Sequence, residues 1–358
     1  MVERQVAYRQ PDVSADHDLP MTSPDESREE VRAQMRGILT AKSITRIGTW
    51  NVRTAFSTGK LAQIVNEMKQ YRLHILGISE MRWTGSGKFV SEDTIVIYSG
   101  GEKHERGVGL LFSKETEKSL ISWEPVSDRI ITARLRTRFT NVTIIQVYAP
   151  TEASQDRDKD EFYEQLNEVI NEAPSYDLKI VMGDFNAKVG SDNEGYEAVM
   201  GRQGMGEINE NGDRLRSYCS INNLKIGGSL FKHKDIHKGT WRSPDGRTVN
   251  QIDHMCFSHR WASAVQDVRT YRGADVASDH HLVIARLKVK LKSRHQTSTT
   301  SRQFAYDVRK LKDEAVHDAY NVELQNRFQA LEIASTIEEE WENIKEAINQ
   351  SAETVIGK

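Results

Sequence analysis

Apolar positions along this chain follow two rhythms. Residues 44–50, 74–78, 94–98, 108–112, 130–135, 142–148, 180–182, 251–257 and 284–291 are short runs that alternate or stay apolar throughout. They end at glycine, proline or polar clusters, which predicts strands. Leu61, Ile64, Val65, Met68 and Tyr71, following the breaker Gly59, recur at helical spacing, as do Phe162, Leu166, Val169 and Ile170 within residues 158–173. The glycines at 100, 101, 107 and 109 suit a hairpin, residues 190–212 are glycine- and asparagine-rich and read as loop, and residues 214–221 suit a short helix. Many strands with few, separated helices predict an α/β (α+β) sandwich rather than a doubly wound sheet.

Texture also divides the chain. Residues 1–43 are polar with three prolines and read as a disordered leader, with a short helix over 28–39. Residues 44–291 carry the strands, residues 292–303 are a Ser/Thr-rich linker, and residues 304–358 form a helical extension. There Thr336 and Glu339 make a capping box, and Ile337, Trp341, Ile344 and Ile348 line a face that must bury itself, so the tail is either a helical hairpin or a docking element for a protein partner.

Charge is uneven beneath a net of -3: Lys/Arg against Asp/Glu is 6 to 8 over residues 1–43 and 7 to 12 over residues 302–358. The middle is therefore mildly basic, which is compatible with a polyanionic substrate without demonstrating one. Two cysteines, Cys219 and Cys256, exclude a disulfide scaffold and a zinc-type spacing. No signal-peptide core or ~20-residue apolar run occurs, so the reading is a protein that is not secreted and has no membrane partner, nuclear or cytoplasmic.

Candidate chemistry sits where strands end. Residues 180–182 lead through Gly183 to Asp184 and Asn186, which period-two alternation points to one side. Asn51, Glu80, Asp253, and Asp279 with His280 occupy other strand exits, and exits converge at a sheet edge. Oxygen donors with one histidine favour a hard cation such as Mg²⁺. A histidine beside an aspartate is held protonated, and an aspartate near an asparagine can orient and deprotonate water. Together these suit phosphate-ester hydrolysis without an organic cofactor. Each residue also has a plain structural reading, as turn former, cap or surface charge.

GTWNVR, ISEMRW, VYAPT, MGDFNA, NQIDHMCFS and SDHHLV, in that order over residues 44–290, resemble the endonuclease/exonuclease/phosphatase superfamily. The resemblance implies a four-layered α/β sandwich with two packed, largely antiparallel sheets flanked by helices, and metal-dependent phosphodiester hydrolysis with Mg²⁺, or Mn²⁺, as cofactor. It makes Asn51 and Glu80 metal ligands, Asp184 the water activator, Asn186 its neighbour at the phosphate and Tyr148 a phosphate contact. Asp253 stands near metal and histidine, His280 is the phosphate-binding histidine, and Asp279 is a further metal-side acid. Arg53 departs from the abasic-site enzymes, which carry an acid at that place. MRWTGSGK, DRDKDEFYEQL, NGDRL and GTWRSPDGRTVNQIDH are closer still to endonucleases of RTE/Bov-B-type non-LTR retrotransposons. In full elements of that type, helices resembling residues 306–356 lead to a reverse transcriptase; no Tyr-x-Asp-Asp polymerase motif occurs here.

DNA is therefore the expected substrate, nicked by an endonuclease. The inositol-phosphatase motif Trp-Cys-Asp-Arg is missing from the NQIDHM stretch. A phosphatase of the same fold and a catalytically idle binding module remain the alternatives. Arg53, Arg82, Lys88, Arg242 and Arg247 are candidate phosphate binders, and Trp83 and Trp241 candidate stacking residues, each with an ordinary surface or core role as the alternative.

Overall fold

A computed structural model describes Leu39 and residues 43–288, 306–331 and 337–357. The chain falls into two compact units, Met1–Leu291 and Lys292–Lys358. The first unit opens with β1 (Thr45–Asn51), α1 (Lys60–Gln70), β2 (Ile75–Ser79), β3 (Ser86–Ser91), β4 (Thr94–Ser99), β5 (Val108–Ser113) and α2 (Lys114–Glu117). It continues through β6 (Leu120–Pro125), β7 (Ile130–Leu135), β8 (Val142–Tyr148), α3 (Asp156–Glu172), β9 (Leu178–Asp184), α4 (Glu210–Ile221) and β10 (Leu224–Ile226). It closes with β11 (Trp241–Arg242), β12 (Val249–Asn250), β13 (Asp253–Ser258), β14 (Val265–Tyr271) and β15 (Leu282–Leu287).

Seven strands form one sheet in the order β14-β15-β1-β2-β5-β4-β3, and six form a second in the order β10-β13-β9-β8-β7-β6. All pairings are antiparallel except β1 with β2 and β8 with β9. Period-two alternation divides each buried strand between two cores. Ile47, Ile75, Ile144, Ile180, Met182, Met255, Phe257, Val283 and Ala285 fill the space between the sheets. Ile64, Val65 and Met68 of α1 cover the outer face of the first sheet, against Trp50, Leu76, Ile78 and Ile284. Phe162, Leu166 and Val169 of α3, with Leu215 and Cys219 of α4, cover the second, against Ile145, Val147, Val181 and Cys256. Helix, sheet, sheet, helix gives the four layers expected.

Helix α4 starts at Glu210, inside the stretch read as loop, because Asn209 caps it: its Oδ1 accepts the Gly212 N–H at 2.9 Å. Leader residues 1–38 and 40–42, the whole linker, Thr336 of the capping box, Lys290 and Lys292 lie outside the described residues.

Near one end the space between the sheets turns polar. Gln146, fully buried, donates from Nε2 to Ser79 Oγ at 3.0 Å and accepts from Thr49 Oγ1 at 3.2 Å. Ser79 Oγ donates in turn to the Val147 carbonyl at 2.8 Å. A Cβ on Gly77 would stand 1.8 Å from Gln146 Oε1, so this position has room only for glycine. Gly183 is tighter in backbone terms: its φ is +148° and a Cβ would fall 2.0 Å from the Val147 carbonyl oxygen. The Val147 backbone cannot yield without moving the β8–β9 ladder, so Gly183→Ala is expected to destabilise the protein by about 1–3 kcal/mol. A lowered urea midpoint checks this.

In the second unit α5 (Glu314–Gln329) and α6 (Ile337–Val355) pack on each other. On the face that the sequence marks as apolar, Trp341 is 59% and Ile348 41% exposed. Small residues, Ala347, Ser351 and Ala352, are the buried ones on α6. Close helix approach favours short side chains and leaves the large apolar ones outside.

Candidate active site

The alternation that fills the space between the sheets also delivers the polar residues. Leu178, Ile180 and Met182 face inward along β9, so the next residue in that register is Asp184, the last of the strand. Asp253 opens β13 directly opposite Asp184, and Met255 and Phe257 continue its inward face. Asn51 ends β1 and Ser79 ends β2 beside it. His280 lies just before β15, which runs antiparallel to β1. Asp253 and His280 therefore stand at strand entries, not exits. Antiparallel pairing places the start of one strand beside the end of its neighbour, so the residues meet all the same.

Asn51 Nδ2 donates to Glu80 Oε1 and to Asp184 Oδ2, both at 2.9 Å. His280 Nδ1 meets Asp253 Oδ2 at 3.0 Å, and His280 Nε2 lies 3.9 Å from Asp184 Oδ2. Asn51, Asp184, Asp253 and His280 are buried. Above them opens a cleft of about 630 Å³, lined by Glu80, Tyr148, Asp184, Asn186, Asp279 and His280, with Arg53, Arg82 and Trp241 at its sides.

Asn186 does not reach the cleft by strand alternation. Its φ is +49°, and its N–H donates to Asp184 Oδ1 at 2.9 Å while its Nδ2 donates to the Ala149 carbonyl at 3.0 Å. Asn51 plays at β1 the part that Asp184 plays at β9: its Oδ1 accepts the Arg53 N–H at 2.9 Å, with Arg53 at φ +59°. Both residues are turn formers and members of the cluster at once. The Asn51 carbonyl oxygen is thus engaged with backbone, and its amide nitrogen faces the carboxylates.

The outer ring is uneven. Arg82 donates to Glu80 Oε2 at 2.9 Å, Arg53 Nε lies 3.7 Å from Asp279 Oδ1, and Trp241 Nε1 donates to Asp279 Oδ2 at 3.1 Å. Arg242 is not brought to the cleft: its Nε and Nη2 donate to the Gly246 carbonyl across the β11–β12 turn, at 3.3 and 3.2 Å. Trp83 belongs to the outer core, with its Nε1 on the Ala55 carbonyl and its ring edge-on to Tyr98.

Burial, then the charge of Asp253, raise Asp184 to about 7, although His280, Asn51 and the Asn186 N–H pull the other way. Burial opposes charge on His280, yet Asp253 and Asp184 overcome it and raise the imidazole to about 9. Tyr148 is pushed up by burial and by the charges of Glu80 and Asp184, so its phenol keeps its proton.

Three residues escaped the sequence reading. Arg129 donates to the Tyr148 carbonyl at 2.9 Å and its guanidinium lies 5.4 Å from the centre of the Tyr148 ring; nothing local in sequence links the two. Glu152 caps α4 beside the cleft. Lys188 also lines it, and its signal was a charge set between two buried residues, Ala187 and Val189.

Known proteins share this fold. The model of the Endonuclease/Exonuclease/phosphatase family matches residues 48–280. Craniofacial development protein 2 of Bos taurus is 41% identical over 247 residues, covering 69% of this chain and 41% of that protein. The protein of the same name from Tragulus javanicus is likewise 41% identical, with 42% of its length covered. The chain thus spans about two fifths of the length of these curated relatives. Among solved structures, a 3'-5' exonuclease (NExo) from Neisseria Meningitidis superposes with a TM-score of 0.52 at 21% identity, covering 68% of this chain and 100% of that one. AP endonuclease LMAP from Leishmania major gives 0.53 at 13%, covering 73% and 95%. At such identities the structural likeness speaks for the fold alone. The family match extends from the inward-facing end of β1 to the histidine before β15, and so spans every strand that contributes to the cleft: the chain belongs to the Endonuclease/Exonuclease/phosphatase family.

Proposed function

We propose that this protein is a Mg²⁺-dependent endonuclease that nicks DNA. The observation that carries the reading is the meeting of Asn51, Glu80, Asp184, Asp253 and His280, drawn from both sheets, at one open cleft.

The donor set fits a hard cation. Asp279 Oδ1 is a buried carboxylate oxygen without a hydrogen-bond partner, and Glu80 and Asp279 both line the cleft. Oxygens with a single imidazole suit Mg²⁺ or Mn²⁺ better than a thiophilic metal. Glu80 and Asp279 would hold the ion, which when bound would offset negative charge on the phosphoryl group.

The chain's own residues do the rest. Ionised Asp184 takes a proton from the attacking water, and Asn186 fixes the loop that presents it. His280, protonated and held by Asp253, donates from Nε2 to the phosphoryl oxygen on which charge grows. The protonated Tyr148 phenol is a second donor. Asn51 acts by holding Glu80 and Asp184 in place.

Supercoiled plasmid incubated with protein and Mg²⁺ should become relaxed circles, and chelator should stop it. DNA binding without nicking would favour an idle binding module. Hydrolysis of small phosphomonoesters with plasmid untouched would favour a phosphatase. Removing the bridge with Asn51→Ala should weaken metal affinity about 10–100-fold, as loss of an outer-shell partner does elsewhere. Calorimetry with Mn²⁺ measures it without reference to activity.

A further inference from the structure

Of the cations in the cleft, two have acidic partners. Arg82 is paired with Glu80 and Arg53 lies beside Asp279, both at the edge of the first sheet. Lys188 lies on the opposite wall, two residues beyond Asn186, and forms no ion pair among the described residues. Glu152, the acid of that wall, is already spent: its Oε1 accepts the Glu210 N–H at 3.1 Å, and its Oε2 accepts the Asn211 N–H at 3.2 Å and Asn209 Nδ2 at 2.6 Å.

Lys188 is nevertheless held firmly by its backbone. Its N–H donates to Asn209 Oδ1 at 2.7 Å, and its carbonyl accepts the Asn209 N–H at 3.1 Å. A Cβ on Gly212 would stand 1.9 Å from that carbonyl, so the first turn of α4 closes directly over it. Burial of Ala187 and Val189 on either side leaves the Lys188 side chain as the one directed to the cleft. With the backbone already held, only side-chain freedom is lost when the ammonium meets an anion, and the ammonium has no internal ion-pair partner to give up.

We propose that Lys188 is a DNA-phosphate contact on the second-sheet wall of the cleft, facing Arg53 and Arg82 across the carboxylate cluster. This rests on the nuclease reading above and adds a residue to it. A phosphate held by Lys188 lies on the Asn186 side of Asp184, so the backbone is gripped from both sheets and its path across the water-activating group is set. Such a contact reads position, not sequence.

The test is duplex-oligonucleotide binding by fluorescence anisotropy in chelator, over a series of KCl concentrations, on the full chain. One neutralised phosphate contributes about 0.9 to the slope of log K against log salt. Lys188→Gln should flatten the slope by about that amount, with the melting temperature unchanged, and Lys188→Arg should restore it. Lys118→Gln removes the same charge from an exposed residue outside the cleft and should leave the slope alone. A Lys188→Gln slope equal to wild type, or a loss matched by Lys118→Gln, overturns the proposal while the nuclease reading stands. Wild type that binds no DNA overturns both. A flattened slope in a protein that never nicks plasmid upholds the phosphate contact and sinks the nuclease reading alone.

Discussion

Asp184→Asn is expected to lower plasmid nicking by about 10²–10⁴, the range general acid–base catalysis supplies. The substitution keeps shape and removes charge. Oδ1 can still accept the Asn186 N–H, so the turn after β9 survives. The other side changes sign: a carboxamide NH₂ would face the Asn51 Nδ2 that now donates to Asp184 Oδ2. Wild-type circular dichroism together with near-complete loss of relaxed circles is the result to look for. Activity within tenfold of wild type would mean that another group receives the proton of water.

The second large effect belongs to His280. His280→Gln removes a cationic donor from the position where phosphoryl charge develops, and loss of one such donor costs about 10²–10³ in rate. Its pH dependence separates this role from a structural one. With the imidazole raised to about 9, the protonated form is present below that pH and lost above it. Nicking should therefore fall on the alkaline side near 9. On the acid side it should fall as Asp184, raised to about 7, takes up its proton. Asp253→Asn deletes the carboxylate that favours the imidazolium and leaves the burial that opposes it. The alkaline limb should then move to lower pH, and the His280 ring resonance in an NMR titration should move with it. An unmoved limb would detach His280 from the reaction.

Much of this arrangement was legible in the sequence. All nine strands read from apolar runs are interior strands of their sheets. The four edge strands of the two large sheets, β3, β6, β10 and β14, gave no such signal. An edge strand needs little burial and often carries polar residues, as β6 does with most of its residues exposed or half-buried. The site was legible because inward register simply runs on from Met182 to Asp184. Arg242 was misplaced because residue type and proximity in sequence do not reveal a turn carbonyl waiting across a hairpin. For Trp341 and Ile348, periodicity shows that they share a face and does not show what that face meets.

The buried trio of Thr49, Gln146 and Ser79 has a bearing on all of these expectations. Greasy surfaces glide over each other at modest cost, whereas these three groups have only one alignment that leaves none stranded, and each stranded group costs about 1–3 kcal/mol. They act as a keyway beneath the carboxylates, indexing one wall of the molecule to the other. The spacing of Asn51 from Asp184 is thereby set from below, before any nucleic acid arrives.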